Sequence, residues 1–244
     1  MRATCEPLDP AAQRAGRIPV LGDGGRELCA LWTQVLERPC SDRHLRLQVI
    51  AIEPMELPAA EPSESATGAL ARLERALRGS GALIALLNPA VFPPAQIALA
   101  EGARLFALAD AADEASWDAV LSLGLPVYGL RGRIACACLT AHPGAVLSAL
   151  AYGNFACEEG LALERLDEDR AGVAWRTGVP AEATVIVRGG YEAARQQGAE
   201  GRWADRGNEA YVRLVIRSAG GTCWTQPRFI APRAGQPAQQ QHGH

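Results

Sequence analysis

The run Ala82-Leu83-Ile84-Ala85-Leu86-Leu87, stopped by Asn88-Pro89, is the first of three short apolar segments between Gly81 and Gly132. The second is Arg104-Leu105-Phe106-Ala107-Leu108-Ala109, stopped by Asp110, and the third is Leu125-Pro126-Val127-Tyr128-Gly129-Leu130, stopped by Arg131-Gly132. From Asp113 to Gly124 lies a helical pattern closed by glycine. Continuous apolar runs alternating with helices predict parallel strands covered on both faces. Ligands of such sheets gather at the C-terminal ends of the strands, which makes Asn88, Asp110 and Arg131 the first positions to examine.

Working outward, Glu27 to Glu37 carries Leu28, Leu31, Trp32 and Val35 at helical spacing and is expected to be a helix, while Arg17 to Leu21 suits a short strand. His44 to Ile52 reads as a strand, closed by Glu53-Pro54, and Thr67 to Arg78 as a helix stopped by Gly79-Ser80-Gly81. Ile134 to Leu139 follows as a strand, and Pro143 to Tyr152 as a helix with proline at its start and Gly153 at its end. From Leu161 onward, alternation and glycine turns predict an antiparallel β appendage.

Several of these stretches resemble PHP domains, the metal-dependent phosphoesterase fold of polymerase and histidinol phosphatase relatives. "WDAVLSLGLPVYGLRG" is similar to a late strand-helix-strand of that family, and "GALIALLNP" to the strand that normally ends in Ala-His-Pro. "VLSALAYGNFACEEG" and "YVRLVIRSAGGTCWTQPRFI" resemble the helix and turn that follow and the C-terminal strand pair. The resemblance covers roughly Leu45 to Ile230. It implies an α/β fold, a truncated or distorted (β/α) PHP-like, TIM-like barrel with a C-terminal antiparallel β appendage. The organisation expected is a PHP-like domain over 1–158, the appendage over 159–231 and a disordered tail over 232–244. About 17 residues precede the first expected strand, too few for two opening βα units, so the barrel should be incomplete.

The family's ligand set is a cluster of His, Asp and Glu holding divalent ions that polarise phosphate and ionise water. This chain departs from it. The Ala-His-Pro position is Asn88, Gly22 to Arg26 contains no histidine, and Arg131-Gly132-Arg133 replaces the late Asp-x-His. Of the four histidines two lie in the tail. His44 and Glu53 are the surviving candidate metal ligands, with Asp110 as a third ligand for one remaining ion. His142 mimics Ala-His-Pro ahead of a different helix and reads as loop. Two arginines at a strand mouth, Arg131 and Arg133, could instead bind an anion bidentately with Asn88 and Asp110 beside them; the plainer reading is a solvated turn with ion pairs.

A net charge of -3 supplies no electrostatic reason to expect nucleic acid or an anionic membrane. All 24 basic side chains are arginine, which excludes a lysine Schiff base. The seven cysteines, at 5, 29, 40, 136, 138, 157 and 223, are scattered, include no CxxC pair and suit a reducing cytoplasm. Cys136 and Cys138 share a strand face and read as core, as does Cys157, which has no nearby histidine. The reading expected from the sequence is therefore a cytoplasmic, degenerate PHP-like pseudoenzyme acting as a non-catalytic binding or scaffold protein, with no cofactor. The alternative is a metal-dependent phosphoesterase of altered site using zinc, manganese or iron. A small anionic ligand and a homodimer through the helix bearing Trp32 complete the expectations.

Overall fold

The computed structural model describes residues 2–5, 16–21, 27–59, 61, 63–97, 102–137, 142–169 and 171–230. The strands are β1 (Arg2–Cys5), β2 (Gly16–Leu21), β3 (Glu27–Pro39), β4 (His44–Ala51), β5 (Leu83–Leu86), β6 (Leu105–Ala107), β7 (Tyr128–Leu130), β8 (Arg133–Ala137) and β9 (Phe155–Glu159). They continue with β10 (Leu163–Asp169), β11 (Gly172–Val187), β12 (Tyr191–Ala204), β13 (Tyr211–Ser218), β14 (Gly221–Thr225) and β15 (Arg228–Phe229). The helices are α1 (Ala66–Leu77), α2 (Pro94–Ile97), α3 (Ala111–Ser122) and α4 (Pro143–Tyr152).

All fifteen strands belong to one sheet, in the order β10-β11-β13-β14-β9-β8-β1-β2-β3-β4-β5-β6-β7, with β12 on β11 and β15 on β13. The named strands pair antiparallel except β5-β6-β7, where the three apolar runs lie parallel as their composition predicts. One face of that trio meets α1 and α3 through Leu70, Leu73, Trp117 and Leu121. The other meets α4, whose Val146, Leu147, Ala149 and Leu150 pack with residues of β3 to β9 and β14. Helix α4 thus sits inside the curl. Its reversal needs Gly153, at φ 72, where a Cβ would collide with the ring of Tyr128.

The expected (β/α) PHP-like or TIM-like barrel is not what the chain forms. The protein is 48% strand and 23% helix, a curled, mainly antiparallel half-barrel. That architecture leaves the PHP and hydrolase descriptions without structural support. The misreading has a physical source in β3, expected as a helix. Leu31 packs with the cluster around α4 and Trp32 with the cluster around α1 and α3. A strand covered on both faces loses its alternation, and its apolar residues then mimic helical spacing. Trp32 is 7% exposed and is no free interface residue. Ahead of the first expected strand lies β1, which pairs with β2 and β8.

The antiparallel strands expected beyond Leu161 do form, and they join the rest of the sheet by backbone pairing of β14 with β9. The 232–244 tail, Gly22 to Arg26 and Cys138 lie outside the described residues. Among the described residues no helix is long and apolar enough to cross a membrane.

Candidate functional site

The residues singled out from sequence are pinned to structural partners. The Asn88 side chain accepts from the Arg46 amide at 3.2 Å and donates to the His44 carbonyl at 3.0 Å, stapling the end of β5 to the start of β4. Asp110 caps α3, accepting from the amides of Ala112 and Asp113 at 2.8 and 3.0 Å. Arg131 lies 4.6 Å from the centroid of Trp224 and 3.5 Å from Glu159, while Arg133 pairs with Glu158 at 3.0 Å. His44 and Glu53 stand at opposite ends of β4, a separation of roughly 30 Å at the strand rise, and cannot share an ion. His142 caps α4, its Nδ1 accepting from the Gly144 amide. Only Arg131 and Arg133 lie near one another, Arg131 on the two-residue link after β7 and Arg133 at the start of β8. Among the described residues no three His, Cys, Asp or Glu side chains converge as a metal site would require.

Sequence reasoning missed two buried constellations. In the first, Asp118 of α3 accepts from Tyr211 Oη at 2.7 Å and from Arg213 Nε and Nη2 at 2.9 and 2.7 Å. Arg213 also reaches Glu114 at 2.9 Å and lies 4.8 Å from the Trp117 ring centroid. Burial opposes the charge on Arg213, but Asp118 and then Glu114 outweigh it and hold its pKa above the ordinary value. Burial and then the Asp118 charge push the Tyr211 phenol up. The Gly190 amide donates to Tyr211 Oη at 3.1 Å, so this group fastens α3 to β13 and the turn before β12.

The second constellation closes the edge of β7. Tyr128 and Leu130 spend their ladder bonds on Arg104 and Leu108, so Gly129 N–H and C=O face away from β6. The Gln226 side chain meets both: Gly129 N–H donates to Oε1 at 2.8 Å and Nε2 donates to the Gly129 oxygen at 2.9 Å. Cys157 Sγ donates to that same oxygen at 3.3 Å and accepts from the Arg131 amide at 3.3 Å. A primary amide and a thiol thus replace a neighbouring strand. Gly129 is required because a Cβ there would come within 2.5 Å of Leu108 Cδ1 and 3.0 Å of Trp117. Complete burial pushes the Cys157 thiol up to about 12, the reverse of a nucleophile's environment.

A further feature is a cleft of about 480 Å³ between β8–β9 and β10. Ala135, Phe155, Ala156, Leu163 and Leu166 supply apolar lining, and Asn154, Glu158, Glu164, Arg165, Glu168 and Gln226 supply polar groups. Glu158, its side chain 1% exposed, is fully engaged: one carboxylate oxygen accepts from the Leu163 amide at 2.9 Å and the other takes Arg133. Glu168 differs. Its side chain keeps exposed area, yet the protein crowding its carboxyl raises its pKa, against the weaker opposing pull of Arg228. In the comparisons with known proteins, no family model, no curated protein and no solved structure matches this chain.

Proposed function

We propose that this protein is a non-catalytic binder of a small organic molecule, seated in the cleft between β8–β9 and β10. The observation that carries the reading is the cleft itself: its volume lies within the range of ligand sites, and a mainly apolar wall is interrupted by a few converging polar groups. The chemistry of the strongest groups nearby points the same way. Glu158 has both carboxylate oxygens occupied, and the Cys157 thiol is held protonated by burial. The thiol is not a nucleophile there, and the carboxylate has both oxygens committed to protein partners.

The test is a thermal-shift screen of a fragment library against the full chain, repeated on Leu166→Trp, which places an indole in the cleft. Ligands should raise Tm with concentration in the parent and lose that effect in the variant. Stabilisation that survives Leu166→Trp would remove the cleft from the argument. Turnover of chromogenic phosphoesters dependent on added manganese would refute the non-catalytic reading.

A further inference from the structure

The cleft contains more charge than it shows. Four of its lining residues carry a formal charge at neutral pH: Glu158, Glu164, Arg165 and Glu168. Three of them are already neutralised from outside the lining. Glu158 pairs with Arg133 at 3.0 Å, Glu164 with Arg176 at 3.4 Å, and Arg165 with Asp167 at 2.6 Å. The fourth, Glu168, makes no ion pair among the described residues. Arg228, whose charge reaches it, is spent on Asp205 at 2.8 Å and on the Asp169 carbonyl at 3.0 Å. Among the described residues the lining therefore sums to one uncompensated negative charge.

That charge sits against apolar wall. Glu168 and Leu166 are two residues apart on β10 and so project from the same face of the strand, opposite Val173 and Trp175 of β11. A carboxylate beside hydrocarbon attracts a cation that brings its own apolar body, because the charge meets its counter-ion while the hydrocarbon is covered by the wall. An anion would meet the same carboxylate at a repulsive distance. A bare divalent ion would find a single free carboxylate, where hard cations require several oxygen ligands.

We propose that the cleft selects an organic monocation, an ammonium group carried on a compact hydrophobic body, with Glu168 as its counter-ion and Leu163 and Leu166 as its apolar wall. The proposal rests on the reading of the cleft as the ligand site and adds the class of ligand. The arginines on its rim do not oppose it, since each has a carboxylate of its own. Asn154, at the end of α4, is placed to take a further hydrogen bond from the ligand.

Three probes of nearly equal size test it: phenethylammonium, 2-phenylethanol and 3-phenylpropionate, titrated calorimetrically into the full chain at neutral pH and low salt. The cation should bind at least about fivefold more tightly than the alcohol, the scale of one partly exposed ion pair, and the carboxylate more weakly than either. Glu168→Gln should bring the cation down to the affinity of the alcohol and leave the alcohol unchanged. Leu166→Trp should weaken both. If alcohol and cation bind equally and Leu166→Trp abolishes both, the cleft is the site and its selectivity for cations is refuted. If the cation keeps its advantage in Glu168→Gln, the counter-ion assignment is refuted. Binding of the cation that is untouched by Leu166→Trp would refute the site as well as the ligand class, as would no binding by any of the three.

Discussion

Replacing Gln226 by alanine should unfasten β7 at a calculable cost. The substitution leaves the Gly129 N–H buried with no partner, since the ladder to β6 uses Tyr128 and Leu130 instead. The Gly129 oxygen keeps Cys157 Sγ. One orphaned buried donor costs about 1–3 kcal/mol, and truncating a side chain that is 4% exposed adds packing loss, so about 2–4 kcal/mol is expected. Gln226→Glu sharpens the test. At neutral pH its carboxylate can accept from Gly129 N–H but faces the Gly129 oxygen without a proton to offer. The protonated acid restores the donor. The introduced group's pKa should therefore be raised in the folded state above its unfolded value near ~4.3. Its contribution is present below that unfolded value and lost as pH rises through the folded one. Urea unfolding followed by far-ultraviolet circular dichroism reads both effects. The gap between Gln226→Glu and the parent should narrow from pH 7 to pH 4. An alanine variant within about 0.5 kcal/mol of the parent, the range of an ordinary surface change, would refute the account of the seam.

Two further outcomes are expected. Arg213→Met should cost about 3–5 kcal/mol, because Asp118 is left buried and charged, and adding Asp118→Asn should recover part of it; additive losses in a double-mutant cycle would argue against the coupling. The raised Cys157 thiol contributes stability that is fully present below the unfolded thiol pKa of about 8.5 and lost as pH climbs toward 12. The parent should therefore lose stability with pH by up to about 1.4 kcal/mol per unit over that window relative to Cys157→Ser, and parallel curves would contradict the burial of the thiol.

What could be read in the sequence was what repeats locally. Leu83 to Leu86, Leu105 to Ala107 and Tyr128 to Leu130 are strands covered on both faces, and their unbroken apolar character says so. Ser65, Asp110, His142 and Gly153 mark helix ends through side-chain and αL caps. Asp110, expected at a ligand position, is found capping α3, since the last residue of a βα turn is also the first cap of the helix. What could not be read was what depends on how the sheet curls. Asp118 meets Arg213, and Gly129 meets Gln226, across most of a hundred residues with no periodic signal to join them. The cleft has the same origin: β9 and β10 are separated by only three residues, but its walls face each other because β10 returns through β11, β13 and β14. The one cue was positional, a glutamine at 226 directly after the buried end of the strand 221–225, where a buried amide needs two partners.

The seam at Gly129 also sets a timetable. Gln226 lies 97 residues after the glycine it covers. On a ribosome adding about 5–20 residues per second, β7 is made roughly 5–20 s before its cover exists. During that interval the edge carries an unpaired N–H beside freshly made apolar strands, its carbonyl alone having Cys157 to meet it 28 residues on, an arrangement that invites pairing with another chain. Three residues per strand in β6 and β7 keep that edge short. The length of these strands, unremarkable in the finished fold, is then a property of the nascent one: the sheet's edge strand offers a stranger too few hydrogen bonds to hold on to before residue 226 arrives.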